Sequence, residues 1–262
     1  MKCKICGEES SAIFVKKVLR KYDVSYYRCS SCLFLQTEDP YWLGESYSSA
    51  INSSDIGLLT RNLVYLEILT SLFRICKFDP GKKYLDYGGG YGVFVRLMRD
   101  NGFNFYWSDE YCENIYATKF KSEDLPSIER KFEVITAFEV FEHLVDPMKD
   151  IKKMLETSDS IIFSNELQPD DANELKDWWY ICPEHGQHTA LYHKKTLEYI
   201  CKKFNLNLYS YKNLHFLTKK KISNFKYKIG SNYKIARIYN TIFQPGSLQK
   251  QDYEIYLKEQ SM

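Results

Sequence analysis

The sequence predicts an α/β fold, a doubly wound parallel sheet with helices on both faces, preceded by a small cysteine-rich module. Short apolar runs alternate with helical stretches from Lys82 onward, which indicates a parallel sheet. A glycine-rich turn follows the first of these runs, and four cysteines form two close pairs near the N-terminus. A chain of 262 residues is long enough for one full-sized core and a small accessory module.

The composition is that of a folded protein without a strong charge bias. Hydrophobic residues make up 44% and charged residues 27%, which excludes disorder along most of the chain. The formal net charge of +2 is too small to indicate a nucleic-acid or membrane partner by itself. No apolar run approaches the roughly 20 residues that span a bilayer, and residues 1–15 lack a signal-peptide run. These features predict a cytoplasmic protein.

Shifts in pattern divide the chain into four regions. We predict a metal-binding module in residues 1–45, a linker and an amphipathic helix in 46–80, and the α/β core in 81–216. Leucines at helical spacing place the helix over 57–77. The remaining residues, 217–262, form a basic, aromatic-rich extension that we expect either to cover a sheet edge or to form an amphipathic helical arm.

Within the core, the apolar runs predict strands and the segments between them predict helices. The predicted strands are 83–87, 103–108, 132–137, 160–164 and 206–211. The predicted helices are 91–101, 111–120, 147–156 and 194–203.

A glycine turn (residues 88–92) joins the first core strand to the following helix, with glycines at positions 88, 90 and 92. Glycine accepts dihedral angles closed to other residues and lets a ligand approach the backbone closely. The N–H groups at the start of the helix then face that ligand. The second strand leads to Asp109, at about the distance where a nucleotide-binding unit places an acid for ribose hydroxyls. This order of elements predicts a nucleotide-type ligand.

The glycine spacing distinguishes among nucleotide ligands. It differs from the dinucleotide pattern G-x-G-x-x-G, and Asp86 stands two residues before the first glycine. It resembles the first motif of class I S-adenosylmethionine-dependent methyltransferases, D/E-x-G-x-G-x-G. Residues 132–135 (FEVI) and 138–147 (FEVFEHLVDP) are similar to the family's segment around the fourth strand. The resemblance covers roughly residues 82–205 and implies a Rossmann-like fold with S-adenosylmethionine as cofactor.

The resemblance also implies roles for individual residues. The implied cofactor-binding residues are Asp86, Gly88, Gly90, Gly92, Asp109, Glu110 and Phe138. Gly88 and Gly90 flank the amino-acid part of the cofactor, and Asp109 holds the ribose hydroxyls. Asp86 braces the glycine turn through backbone N–H groups, and the segment 120–125 passes near the adenine.

Four cysteines form two C-x-x-C pairs separated by 22 residues: Cys3, Cys6, Cys29 and Cys32. Four thiolates on two tight turns can converge on one tetrahedral Zn²⁺ ion. Gly7 suits the turn after the first pair, whereas Leu33 takes that place after the second. With four protein ligands the predicted zinc is structural, and it drives folding of a module too small to bury a core alone. The alternatives are a redox pair and unrelated thiols.

The segment beyond the last parallel strand carries the candidate acceptor chemistry. Residues 187–197 resemble a block of bacterial methyltransferases that act on sugars or nucleotide-linked sugars, in which the histidine lies near the acceptor. The zinc module followed by Tyr41 and Tyr47 carries a looser similarity to the same enzymes. In these relatives the zinc module folds over the acceptor side of the cleft.

His188 is the candidate general base, because a neutral imidazole can take a hydroxyl proton near pH 7. His185, Glu184 or Glu166 would orient it. The alternative is that His188 only ties its loop to the sheet through hydrogen bonds. For His143, the resemblance implies a structural role at the start of a helix.

The sequence thus predicts methyl transfer to a small polar acceptor, a hydroxyl or carbon of a sugar, nucleotide sugar or surface-glycan precursor. An RNA methyltransferase is the alternative, because some pair a four-cysteine zinc module with this core, and the basic tail could track phosphates. The near-zero net charge disfavours RNA, as does the stretch 137–140 (AFEV) in place of the N-methylating signature N/D-P-P-Y/F. A non-enzymatic adaptor is disfavoured by the intact glycine turn and Asp109.

Overall fold

The computed structural model describes residues 1–47, 55–243 and 246–260, so part of the predicted linker lies outside the described residues. The first elements are β1 (Ser10–Val18), β2 (Tyr22–Cys29), β3 (Leu35–Thr37), α1 (Leu43–Ser46), α2 (Leu58–Ile75), β4 (Lys83–Tyr87), α3 (Val93–Asp100), β5 (Asn104–Ser108) and β6 (Ile135–Ala137). They are followed by α4 (Pro147–Leu155), β7 (Ser160–Ser164), β8 (Ala190–Leu191), α5 (Lys194–Phe204), β9 (Asn207–Tyr211), β10 (Leu214–Thr218), α6 (Asn224–Gly230), α7 (Tyr233–Ile242) and α8 (Gln249–Gln260).

The larger sheet has the strand order β5-β4-β6-β7-β10-β9 within the described residues. Strand β4 runs parallel to β5 and β6, whereas β10 runs antiparallel to β9. All five residues of β7 and all five of β10 are buried, as expected of strands covered on both faces. The mixed sheet with its helices confirms the predicted α/β class.

One predicted helix is wrong, because residues 111–120 are irregular. The carboxylate of Asp109 accepts hydrogen bonds from the N–H groups of Tyr111 and Cys112. Further along, the Asn114 side chain bonds both the N–H and the carbonyl of Ala117. Such local bonds from Asp and Asn side chains compete with the backbone hydrogen bonds of a helix.

Contacts between Cα atoms divide the chain into two compact units. The cysteine unit comprises Met1–Asn52, Phe138–Glu156 and Ile162–Lys220. The glycine unit comprises Ser53–Ala137, Thr157–Ile161 and Lys221–Met262.

In the cysteine unit, a small antiparallel sheet has the order β1-β2-β3-β8 among the described residues. Its edge strand β8 comes from a much later part of the chain and pairs with β3. The core of this unit includes Trp42, whose indole N–H donates to the carbonyl of Gly186 at 2.7 Å. The hydroxyl of Thr196 donates to the carbonyl of Cys32 at 2.8 Å. The cysteine-bearing segment is therefore fixed to residues far along the sequence.

In the glycine unit, stacked aromatic rings fill the core. The ring of Tyr84 stacks on Phe73 at 5.0 Å and on Phe105 at 5.1 Å between centroids. Phe94 and Phe103 meet the same group of rings edge-on. Burial of such large rings supplies much of the hydrophobic stabilisation of a core.

The predicted extension is helical. Helices α6 and α7 pack on α2, and a Cβ at Gly230 would lie 2.9 Å from the Cα of Leu72. Only glycine permits so close an approach of the two helices. Among the helices of the described residues, none combines the length and apolarity needed to cross a membrane.

A buried ion pair attaches α8 to α3. The side chains of Arg99 and Asp252 are each 3% exposed. The guanidinium donates to both carboxylate oxygens, from Nη2 at 2.6 Å and from Nε at 2.8 Å. Arg96 donates a further bond to Asp252 at 2.7 Å. Because the pair is buried and bidentate, its loss leaves a buried charge unpaired.

Replacing Asp252 by Ala should lower the free energy of unfolding by about 3–5 kcal/mol, because Arg99 stays buried without its carboxylate. Urea unfolding followed by circular dichroism measures the change. Glu254 is an exposed carboxylate on the same helix, so Glu254→Ala should change stability by less than about 0.5 kcal/mol. Equal effects of the two substitutions would show that the ion pair does not stabilise the fold.

Candidate functional site

The glycine turn connects β4 to α3 and is fastened to the end of β5. Gly88, Gly90 and Gly92 have φ angles of +70°, +52° and +83°, in the left-handed region that favours glycine. The N–H of Gly88 donates to the carbonyl of Ser108 at 2.8 Å. The N–H of Gly90 donates to Oδ2 of Asp109 at 2.9 Å. The structure thus brings the predicted glycines and the predicted acid together.

Asp86 packs against the glycine turn, but it does not accept the backbone N–H bonds that the sequence predicted. Its carboxylate is 4% exposed and accepts a hydrogen bond from the hydroxyl of Thr136 at 2.7 Å. The N–H groups of Gly88 and Gly89 donate to the carbonyl of Ser108 instead. The predicted brace through backbone N–H groups is therefore replaced by side-chain packing and the bond from Thr136.

Trp107 and Gly89 belong to the same arrangement and were missed by the sequence reasoning. A Cβ at Gly89 would lie 2.8 Å from Cδ1 of Trp107 and 3.0 Å from Oδ2 of Asp86, so no larger residue fits without displacement. The indole N–H of Trp107 donates to the carbonyl of Gly90 at 2.8 Å. The sequence did contain a signal for Gly89. It is the middle residue of a run of three glycines, and the spaced motif does not require a glycine there.

Burial raises the pKa of Asp86 to about 7, and the nearby carboxylate of Asp109 adds to this increase. The hydrogen bond from Thr136 acts in the opposite direction. Asp86 therefore changes its charge close to neutral pH.

Asp109 retains capacity for a ligand. Its Oδ1 accepts from the N–H groups of Tyr111 and Cys112, whereas Oδ2 accepts, among the described residues, only from Gly90. Since each carboxylate oxygen offers about two acceptor positions, Oδ2 can take one more hydrogen bond. Glu110 follows as an exposed residue, and the half-buried Phe138 comes directly after β6.

The cysteine cluster consists of Cys3, Cys6, Cys29 and Cys32, whose sulfur atoms all lie within 4.8 Å of one another. The closest pairs are Cys6–Cys29 at 3.4 Å and Cys3–Cys32 at 3.6 Å. A disulfide requires about 2.05 Å, so these are separate thiols. Bonds of about 2.3 Å to a tetrahedral zinc place sulfurs about 3.8 Å apart. The four thiols therefore fit a closed zinc site.

The two cysteine turns share one backbone conformation. Gly7 has a φ of +81° and Leu33 a φ of +59°, each directly after the second cysteine of its pair. The position that lacks glycine in the sequence thus adopts the left-handed conformation at a steric cost. The side-chain amide of Gln168 donates to the carbonyl of Leu33 at 3.0 Å and helps to hold it.

A histidine cluster (Glu142, His143 and His188) lies in the cysteine unit. One ligand atom of each side chain lies within 4.8 Å of the other two. Nδ1 of His188 lies 2.6 Å from the carbonyl oxygen of Tyr180. Because a carbonyl only accepts, Nδ1 carries a hydrogen, and in the neutral imidazole Nε2 is then the acceptor. The hydroxyl of Tyr180 donates to Oε1 of Glu142 at 2.7 Å.

These contacts correct one prediction. The group that orients His188 is the carbonyl of Tyr180, and not His185, Glu184 or Glu166.

His143 does not begin a helix. It ends a 3₁₀ turn over Phe141–His143, and α4 begins at Pro147 after the N-cap Asp146. Burial, together with His188 and His185, lowers the pKa of His143 to about 3. Its imidazole is therefore neutral at pH 7. The sequence did carry a signal, since a Glu-His pair follows β6 closely and the carboxyl ends of strands are where open α/β sheets place their sites.

A comparison with protein families identifies a methyltransferase domain. A family model described as a methyltransferase domain matches residues 60–211, more than half of the chain, and this range includes the glycine turn and the histidine cluster. No significant match exists among curated protein sequences.

Solved methyltransferase structures are similar to this chain. The plantazolicin methyltransferase BpumL, in complex with a monoazolic desmethylPZN analog and SAH, is 12% identical with a TM-score of 0.50, over 75% of this chain and 87% of that chain. The SAH-bound magnesium protoporphyrin IX methyltransferase ChlM of Synechocystis PCC 6803 is 13% identical with a TM-score of 0.45, over 68% and 94%. At such low identity, the likeness to BpumL establishes the fold alone.

Replacing Asp86 by Asn should stabilise the protein more at pH 8 than at pH 5. The folded pKa of about 7 lies above the ordinary value of 3.8, so wild-type stability from this group falls as the pH rises between these values. Asparagine carries no charge and avoids that loss. Thermal unfolding at both pH values measures the difference. The exposed Asp124→Asn is the control, and a pH-independent effect of Asp86→Asn would contradict the prediction.

Replacing Cys29 by Ser should remove most of the bound zinc and lower the unfolding temperature, because one of four converging ligands is lost. Elemental analysis of purified protein and a thermal melt measure the two effects. Cys76 lies outside the cysteine cluster, so Cys76→Ser should retain the metal. Equal zinc content in both variants would exclude the assigned site.

Proposed function

We propose that this chain, which belongs to the methyltransferase-domain family, transfers a methyl group from S-adenosylmethionine to a small polar acceptor. The acceptor atom is a hydroxyl oxygen or a carbon of a sugar, a nucleotide sugar or a surface-glycan precursor. The observation that carries this proposal is the orientation of His188, whose Nδ1–H is tied to Tyr180 while Nε2 keeps its lone pair. A hydroxyl acceptor needs such a proton-accepting group.

The cofactor-binding residues in this proposal are those of the glycine turn and the acid after β5. When bound, S-adenosylmethionine supplies a methyl group on a positively charged sulfur. Gly88 and Gly90 let the cofactor approach the backbone, and Oδ2 of Asp109 accepts a hydrogen bond from a ribose hydroxyl. Glu110 and Phe138 are the remaining cofactor-binding residues that the family resemblance implies.

Asp86 and Gly92 act by maintaining the turn. Asp86 occupies the space beneath Gly89, and a Cβ at Gly92 would lie 2.5 Å from Oδ1 of Asn114. These contacts support a role in holding the glycine turn in its ligand-binding conformation.

His188 has the role of general base. In the transfer step, the acceptor oxygen forms a bond to the methyl carbon while the carbon–sulfur bond breaks and its electron pair stays on sulfur. Nε2 of His188 takes the hydroxyl proton. Holding the imidazole by Nδ1 fixes the tautomer and the direction of Nε2, which lowers the entropy cost of reaching the transition state.

Zinc in the cysteine cluster has a structural role in this proposal. The four thiols close the coordination sphere, so no position remains for a substrate. The zinc module of residues 1–45 and the cytoplasmic location stay predictions from the sequence.

The acceptor class is tested with methyl-labelled S-adenosylmethionine, purified protein and a fractionated, metabolite-rich extract, with and without ribonuclease. Label in a nuclease-resistant small-molecule or glycan fraction is the expected result. Label that becomes acid-soluble only after ribonuclease would replace the proposed acceptor with RNA. Absence of both transfer and cofactor binding would contradict the proposal as a whole.

Once an acceptor fraction is known, His188→Ala should lower kcat by about 10²–10⁴-fold and leave the cofactor Kd unchanged, because only proton removal is impaired. Single-turnover transfer and equilibrium binding of S-adenosylmethionine measure the two quantities. His185→Ala removes a neighbouring imidazole outside the histidine cluster and should reduce the rate far less. An unchanged rate in His188→Ala would leave His188 with a hydrogen-bonding role only.

A further inference from the structure

The histidine cluster has the donor set of a metal site. A carboxylate oxygen of Glu142 and one ring nitrogen each from His143 and His188 converge within 4.8 Å. No hydrogen bond joins these three described side chains to one another, so hydrogen bonding among them does not account for the convergence. Two imidazoles and a carboxylate are a common ligand set for divalent first-row transition metals. Metal–ligand bonds of about 2.1 Å place ligand atoms about 3–4 Å apart, so small side-chain rotations would complete the site.

The burial of Glu142 points to a cation. Its side chain is 0% exposed, and within the described residues it forms no ion pair. Its partners are two neutral donors, the hydroxyl of Tyr180 at 2.7 Å and the amide of Asn165 at 3.4 Å. A buried carboxylate is costly unless it is paired with positive charge or coordinates a metal.

One of the two histidines, His188, is oriented as metal-ligating histidines usually are. A ligating imidazole commonly donates its second N–H to a backbone carbonyl or a carboxylate, which fixes the coordinating nitrogen. His188 meets this condition through Nδ1 and the carbonyl of Tyr180. The ring nitrogens of His143 make no hydrogen bond to any described residue. Tyr180 therefore orients two of the three candidate ligands, Glu142 and His188, from one position.

An unsatisfied acceptor lies in the same network. Asn165 is 1% exposed and donates to both Glu142 and Tyr180, yet its Oδ1 has no hydrogen-bond partner among the described residues. A buried carbonyl oxygen is normally paired with a donor. Water bound to a metal ion is a suitable donor for it, since metal binding makes water a stronger hydrogen-bond donor.

We propose that Glu142, His143 and His188 bind one divalent first-row transition-metal ion, separate from the cysteine cluster. Three protein ligands leave open positions on the ion, as in catalytic metal sites. Soft thiolates select zinc, whereas nitrogen and oxygen ligands also accept manganese, iron, cobalt and nickel. The two clusters would therefore hold their metals by different chemistry.

The catalytic consequence of this metal rests on the proposed function. Glu142, His143 and His188 would hold the ion, and the ion would supply Lewis-acid activation that lowers the pKa of an acceptor hydroxyl. With the ion bound, Nε2 of His188 would be a ligand, so the general-base role of His188 applies to the metal-free enzyme.

Titration of the purified full chain with Mn²⁺, followed by electron paramagnetic resonance of the free ion, tests the site without cofactor or acceptor. Mn²⁺ is a poor match for thiolates, so its binding reports on the histidine cluster. The expected result is saturable binding of one Mn²⁺ per chain. Absence of saturable binding at millimolar Mn²⁺ would overturn the proposal.

Matched variants locate the bound ion. Glu142→Gln keeps an oxygen for the bond from Tyr180 but loses the charge, and it should weaken Mn²⁺ binding by about tenfold or more. His143→Ala should do the same. Glu184 is an exposed carboxylate outside the cluster, so Glu184→Gln should bind as the wild type does. Wild-type affinity in both Glu142→Gln and His143→Ala would overturn the assignment.

Two further outcomes separate this inference from the proposed function. Mn²⁺ binding that persists while no methyl transfer is found would contradict the proposed acceptor and leave the metal site standing. Transfer that a chelator does not slow would overturn the catalytic role of the metal and support His188 as a free base.

Discussion

The hydrogen bond between the N–H of Gly90 and the carboxylate of Asp109 is the constraint on which the glycine unit depends. This bond joins the turn after β4 to the end of β5. It therefore holds the glycine turn and Asp109, the two predicted parts of the ligand site, together. The parallel pairing of β4 with β5 sets their distance, and the aromatic stack of Tyr84 and Phe105 beneath them fixes it. Because Oδ1 is occupied by loop N–H groups, Asp109 shapes the loop and leaves Oδ2 to a ligand.

Tyr180 has the corresponding position in the cysteine unit. Its hydroxyl and its carbonyl act on different members of the histidine cluster, and its ring lies 4.8 Å from that of His188. The residue belongs to a short 3₁₀ turn that ends at Cys182, which has a φ of +43°. Holding two polar groups on a strained turn costs conformational energy, and such strain is typical of functional sites.

Features set by interactions between residues close in sequence could be predicted, whereas features set by tertiary contacts could not. The strand over 83–87, the glycine turn and Asp109 could be predicted because hydrophobic period, glycine and chain distance are local properties. The helix predicted over 111–120 failed because Asp109 and Asn114 bond the backbone locally, an effect that period alone does not reveal. The partner of His188 could not be inferred, since a carbonyl is present at every residue and only the tertiary fold selects that of Tyr180.

Because β8 is the edge strand of the small sheet, it limits how the sequence of this protein can change during evolution. Gln36 pairs with Ala190 and Leu35 with Leu191, only two and three residues beyond His188. A cysteine module whose sheet contained only its own strands could be transferred between proteins as a unit. Here such a transfer would remove β3, the pairing partner of β8, which follows His188. A substitution in the module that disturbs the pairing of β3 with β8 therefore also disturbs the strand that follows His188.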